Sequence, residues 1–241
     1  MSLYRDRGVV LRSYKLGEAD RIVVLLTPEH GKVRAVAKGV RKAKSRIGGR
    51  LEPLSHVELL LWEGRELDIV RQAEMVEAWP QIQGSLSYLS QGLAIAEAAE
   101  QVAQERQPSP DLYRMLVGAL RTLFERPGPL VVAAFYWKLL ALDGAGPVLG
   151  SCAGCGSGPP AVDIVAFDIG QGGALCRACR RGEALSAAAQ ELLSWILEGG
   201  LVRALEVPAS TTTAEVAHLA TVSLEKHLEK RLRAAHAIEP A

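Results

Sequence analysis

Ile22–Lys38, IVVLLTPEHGKVRAVAK, decides the fold of the first part of this chain. Ile22 to Leu26 form a short aliphatic, β-prone run. Thr27-Pro28-Glu29-His30-Gly31 breaks it with turn formers, and Lys32–Lys38 resumes as a strand, so the spacing predicts a β-hairpin. In the second arm Val33, Ala35 and Ala37 share one face, and Lys32, Arg34, Val36 and Lys38 share the other, because strand side chains alternate. Ile22–Leu26 is apolar on both faces. One face is expected to line a core and the other to pack against a neighbouring domain.

Working outward, Val9-Val10-Leu11 precedes the hairpin. Val57–Trp62 and Leu67–Ala73 flank Glu63-Gly64-Arg65 as a second hairpin. Five short strands with a long connection in the middle predict a small closed barrel. At Trp79-Pro80 the period changes to that of helices. Leu86, Leu89, Leu93, Ala96 and Val102 follow helical spacing. Ser109-Pro110 starts a second helix, striped by Leu112, Met115, Leu116, Ala119, Leu120 and Leu123. Leu130–Leu142 is apolar nearly all round and reads as the central helix of a bundle. Ser186 caps a helix carrying Leu192, Leu193, Ile196 and Leu197. The last helix is expected from Thr212, with Thr212 and Glu215 as its capping box and Val216, Leu219, Leu224, Leu228 and Leu232 facing inward. The reading is an α+β multidomain chain. A β-barrel spans 1–80, a helical domain spans 81–150 and 183–241, and a cysteine module is inserted at 151–182.

The hairpin's second arm runs into KVRAVAKGVRKAKSRIGGR, Lys32–Arg50, with eight basic residues and no acid. They are Lys32, Arg34, Lys38, Arg41, Lys42, Lys44, Arg46 and Arg50. The whole chain has 28 Lys+Arg against 27 Asp+Glu, so the remainder is acidic. Positive charge gathered in one place on an acidic molecule is the electrostatic footprint of a polyanion site. The plainer reading is a solvated surface loop.

Cys152-Ala-Gly-Cys155 and Cys176-Arg-Ala-Cys179 are two C-x2-C pairs with 20 residues between them. Two residues between cysteines let a tight turn point both sulfurs at one ion, and two such turns complete a tetrahedral thiolate site for one structural Zn2+. Val162, Ile164 and Phe167, followed by Gly170–Gly173, read as a small β excursion that the metal clips. Four thiolates leave no coordination position for water, which argues against catalysis at this ion. The Pro-Cys-x-x-Cys half of the zinc-deaminase pattern is not present.

Nothing else in the chain marks an enzyme. There is no Gly-rich phosphate loop and no Gly-x-Ser-x-Gly elbow, and the five histidines are scattered. Apolar content of 49% and charged content of 23% are those of a globular protein. The longest apolar run, Leu130–Leu142, is too short to span a bilayer, and Met1–Arg12 does not read as a signal peptide. Four cysteines used as metal ligands suit a reducing compartment, so a cytoplasmic, nucleoid-associated protein is expected.

Taken together, Glu18-Ala-Asp20-Arg21, Leu26–Gly31, Ala37-Lys38-Gly39 and Ser45-Arg46 resemble the N-terminal domain of the RecO family of bacterial recombination mediators. Leu139-Leu140, Pro147, Cys152–Gly156 and Gly172–Cys179 resemble that family's zinc segment. The similarity runs in order through most of residues 5–200. It departs at Ala94, where the family is expected to carry an aromatic. The resemblance implies an OB-fold barrel, a helical domain and a zinc module. It implies binding of single- and double-stranded DNA and annealing of complementary strands. It also implies loading of the recombinase RecA with the partner RecR, and contact with the C-terminal tail of single-strand-binding protein (SSB).

OB-folds that grip single strands stack bases on aromatic rings. The first 80 residues offer Tyr4, Tyr14, Trp62 and Trp79, and Trp62 could equally pack in a core. Phosphate contacts should therefore dominate, with little sequence preference and strong salt dependence. The rival reading is a zinc-stabilised protein–protein adaptor that does not bind DNA, its basic loop meeting an acidic tail.

Overall fold

The computed structural model describes residues 2–42, 45 and 47–237. Lys44 and Arg46 of the basic stretch lie outside the described residues. By packing, the chain divides into two compact units, Met1–Glu125 and Arg126–Ala241.

The first unit contains β1 (Leu3–Leu16), β2 (Asp20–Thr27), β3 (Gly31–Ala37), β4 (His56–Trp62) and β5 (Asp68–Glu77). They form a closed barrel in the order β1-β2-β3-β5-β4, the expected architecture. Every neighbouring pair is antiparallel except β3 with β5. The alternation read for Lys32–Lys38 is the one observed. Val33, Ala35 and Ala37 are wholly buried in the barrel core with Val10, Val23, Leu25, Leu59 and Leu61, while Lys32, Arg34 and Val36 face outward, half-buried.

β2 is buried on its other side as well: Val24 and Leu26 are inaccessible, as are Val9 and Leu11 of β1. This second apolar layer meets α2 (Leu86–Val102) and α3 (Pro110–Glu125), which pack against β1 and β2 after the short α1 (Pro80–Gly84). Burying both faces of a strand removes roughly twice the apolar area from water, at about 25 cal/mol per Å2. The partner is a pair of helices of the same unit.

The buried face of α2 differs from the expected stripe. Leu86 is 78% exposed, and the face that packs is made of Gly92, Ala94, Ile95, Ala96, Ala98 and Ala99. The reason is close approach: a Cβ on Gly92 would sit 2.6 Å from Leu54 Cδ1. Small residues let the helix lie against the barrel loop where leucines would hold it off.

A polar knot closes one end of this unit. The His56 ring, buried, stacks on Trp79 at 6.2 Å and lies within hydrogen-bonding distance of Glu77 (3.1 Å) and Tyr113 Oη (2.7 Å). Arg121 donates to the same Glu77 at 2.6 Å, tying α3 to β5.

The second unit is built on α4 (Val131–Leu142), buried along nearly its whole circumference as its composition predicts, and packed against α5 (Ala187–Leu197) and α7 (Thr211–Leu228). Trp137 Nε1 donates to the Val216 carbonyl at 3.3 Å. Its ring meets Phe167 edge-on at 5.8 Å. That contact carries a three-stranded sheet of β6 (Ile164–Asp168), β7 (Gly173–Cys176) and β8 (Glu183–Ala184), in the order β7-β6-β8. Ser186 caps α5 as read, accepting from the Ala189 N–H. The cap of α7 differs from the expected pair. Ser210 and Thr213 form the capping box, and Glu215 instead accepts from Ser186 N and Oγ, bracing α5. The helix stops at Leu228, where Glu229 takes a left-handed backbone, so the buried Leu232 belongs to a returning segment.

Candidate nucleic-acid interface and metal centre

The cationic residues divide into two sets. Lys38, Arg41 and Lys42 are exposed, and among the described residues no acid pairs with Lys38 or Lys42. Their segment is held by the β1–β2 turn: Gly39 N donates to Asp20 Oδ1 at 2.7 Å, Arg41 N to the Ala19 carbonyl at 3.0 Å, and Arg41 Nη1 to the Gly17 carbonyl. Further on, Gly48 N donates to Ser45 Oγ. A cationic loop fixed through its backbone presents its side chains with less ordering entropy to lose on binding.

Lys32, Arg34 and Arg50 are more engaged. Lys32 Nζ donates to the Glu100 carbonyl at 3.0 Å, and Arg50 Nη1 donates to the Ala73 carbonyl at 2.8 Å. The neighbouring Tyr14 hydroxyl first, and Glu105 at 3.8 Å second, hold the Arg34 guanidinium above the ordinary arginine range. The segment after α2, which carries Glu105, also bonds the β3 backbone: Lys32 N donates to Gln104 O, and Arg106 N donates to Lys32 O, so 104–106 lines the open edge of β3. The sequence gives no sign of this, because residues about seventy positions apart in the chain are brought together.

One cation was missed by sequence reading. Arg12 pairs in register with Val24, which pairs with Arg34, so both arginines stand on the same outer face. The Arg12 guanidinium lies 5.6 Å from the Tyr14 ring centroid and 2.8 Å from Glu100. Arg12 and Tyr14 fall two apart on one strand, a signal that only the register makes usable.

In the second unit the four cysteines converge. Their Sγ atoms all lie within 4.8 Å of one another, and Cys155 Sγ is 3.9 Å from Cys176 Sγ. That excludes a disulfide there, whose S–S bond is about 2.05 Å. It matches the edge of a tetrahedron with metal–sulfur bonds of about 2.3 Å, which is about 3.8 Å. Each knuckle is closed by backbone bonds: Gly156 N to Cys152 O at 2.8 Å, and Cys179 N to Cys176 O at 3.1 Å. A Cβ on Gly154 would come 3.2 Å from Cys179 Sγ, so a larger residue there would make the sulfur shift by a few tenths of an ångström.

The donor set favours a cation. The backbone N–H of Cys176 donates to Cys152 Sγ at 3.3 Å and is the largest influence lowering that thiol to about 6. The Cys179 thiol is pushed up to about 12 by the sulfurs of Cys176, Cys152 and Cys155. Four sulfurs this close cannot all be thiolates without a positive ion among them. The cluster can therefore hold one metal ion, with a closed coordination sphere.

Family comparison joins these two halves. The description Recombination protein O N terminal matches residues 1–79, and Recombination protein O C terminal matches residues 83–236. The chain belongs to the RecO family. The N-terminal match covers the barrel with its cationic loop, and the C-terminal match covers the helices with the cysteine cluster. Membership places the chain in recombinational DNA repair as a mediator protein, and neither match describes an enzyme. No helix among the described residues is long and apolar enough to cross a membrane.

Proposed function

We propose that this RecO-family chain is a non-enzymatic DNA-binding protein that captures single- and double-stranded DNA through phosphate contacts on the barrel. Residues 38–50 are the main contact, with Lys38, Arg41 and Lys42, and with Lys44 and Arg46 by sequence. Lys32, Arg34 and Arg50 form its rim. The observation that carries this reading is the exposed, acid-free cationic loop anchored to the β1–β2 turn of a closed five-stranded barrel. OB-folds take oligonucleotides on the face of strands 2 and 3 and on the β1–β2 and β4–β5 loops, and residues 39–41 are tied to the β1–β2 turn. Phosphate capture leaves base edges free, which suits annealing of complementary strands. RecR, RecA loading on SSB-coated strands and contact with the SSB tail belong to the same proposal through the family.

The cysteine cluster holds one structural Zn2+. The ion would cross-link the two knuckles and keep the β6–β7–β8 sheet folded against Trp137, with no part in a reaction. A cytoplasmic site of action fits both the thiolate ligands and the DNA target.

The test is titration of a labelled, naked oligonucleotide with the whole chain at moderate salt. Saturable binding that weakens steeply as salt rises supports the reading. An adaptor would leave the oligonucleotide free at every concentration.

A further inference from the structure

The outside of the barrel carries an apolar track that neither the cationic loop nor the helices explain. Val36 of β3 pairs in register with Ile69 of β5, Ile69 with Trp62 of β4, and Trp62 with Leu3 of β1. Registered partners point to the same side of a sheet, so the four residues form one band across four strands, about 14 Å long at 4.7–4.9 Å per strand. The band grows more exposed along its length. Val36 and Ile69 are half-buried, Trp62 is 40% exposed and Leu3 52%.

We propose that Trp62 is a base-stacking platform for single-stranded DNA, next to the last residue of a track that starts beside the cationic edge of β3. This rests on the reading of the barrel as a DNA-binding surface and adds a base contact to it. Among the barrel's aromatics Trp62 is the most exposed, at 40%. Trp79 is 4% exposed. Tyr4 lies 4.2 Å from the His30 ring, with its hydroxyl on buried Asp68. Tyr14, 36% exposed, has the Arg12 guanidinium 5.6 Å from its ring centroid. Among the described residues, no ring or guanidinium covers Trp62.

Charge selects the occupant. Lys38 follows Val36 by two residues at one end of the track. Arg5 follows Leu3 by two on the outer face at the other, opposite Leu60. Both are exposed, and neither pairs with an acid among the described residues. A flat apolar surface between two unpaired cations matches what a nucleotide strand presents, a π-face between phosphates. A hydrophobic protein partner needs the tryptophan but not the flanking cations.

The experiment compares an oligothymidylate with an abasic strand of equal length and charge. Both are titrated by anisotropy into wild type, Trp62→Ala and Trp62→Phe. Wild type is expected to prefer the strand with bases by roughly 5- to 10-fold, the lower part of the range for one stacked base. Trp62→Ala should lose that preference while keeping its affinity for the abasic strand, and Trp62→Phe should keep most of it. Tryptophan emission provides a second readout in the unmutated protein: bases should quench it, the abasic strand should not, and the quench should vanish in Trp62→Phe. Equal, salt-sensitive binding of both strands by wild type would leave the DNA reading standing and remove the platform, assigning the track to a protein partner. Binding of neither strand would remove both.

Discussion

Replacing Lys38 and Lys42 together by glutamine should flatten the salt dependence of single-strand binding by a calculable amount. These two lysines are exposed and without an acidic partner among the described residues, so a phosphate can reach them without first breaking an ion pair. Lys32, Arg34 and Arg50 already hold protein groups. For single strands each neutralised phosphate contributes about −0.7 to the slope of log affinity against log salt. Four to six contacts give roughly −3 to −4, and removing two brings the slope to roughly −1.5 to −3. Between 50 and 200 mM salt, a slope of about −3.5 loses about 130-fold in affinity and one of about −2.1 loses about 20-fold. Anisotropy of a labelled oligothymidylate at five salt concentrations measures both slopes, with circular dichroism confirming that the variant is folded. Identical slopes in a folded variant would refute the assignment of phosphate contacts to this loop.

Cys152→Ser should lower the metal-to-protein ratio and the thermal midpoint together, read by metal analysis and calorimetry; a wild type that is stable and metal-free would contradict the zinc assignment. Asp68 is wholly buried and accepts bonds from Arg106 (2.6 Å), Gly64 N (2.9 Å) and the Tyr4 hydroxyl. Asp68→Ala leaves these donors unmatched and should cost about 3 kcal/mol, the low end for a broken buried pair because Arg106 keeps some access to water; a urea-denaturation loss below about 1 kcal/mol would show the network to be dispensable. Burial pushes the His56 imidazole below its ordinary value, more than Glu77 draws it up. The unfolded chain, with an ordinary His value of about 6.5, then binds the proton more readily, so stability should fall as pH drops from about 7 to 5. Urea midpoints across that range should fall less in His56→Gln, and parallel wild-type and variant curves would contradict the assignment.

The barrel was legible where a period of two met a buried interior. In β3, three apolar residues inside and two cations outside left one register consistent with a core. β1 was harder. Only Val9–Leu11 stood out of a 14-residue strand, because Asp6 is nearly inaccessible and its carboxylate is matched by His30 Nδ1 at 2.7 Å, a partner far along the chain. A polar residue satisfied at long range breaks the alternation that a sequence reader relies on. The same limit hid the pairing of the β3 edge with 104–106, and the small-residue face of α2 looked weaker than its leucines. In the second unit the spacing of Cys152, Cys155, Cys176 and Cys179 carried its own geometry, since two tight turns suffice to converge four sulfurs. The Ser210–Thr213 cap was not legible in the same way, because Ser210, Thr211, Thr212 and Thr213 all offer a hydroxyl and only backbone angles choose among them.

Hydrogen exchange of the whole chain, with and without a saturating single-stranded oligonucleotide, tests most directly that DNA is held on the barrel through its cationic loop. The account predicts slowed exchange in the β1–β2 turn and in residues 38–50, lost as salt rises, with the cysteine module unchanged. Protection confined to the region of Arg177 and Arg180 or to the end of α7, with residues 38–50 unaffected, would contradict it.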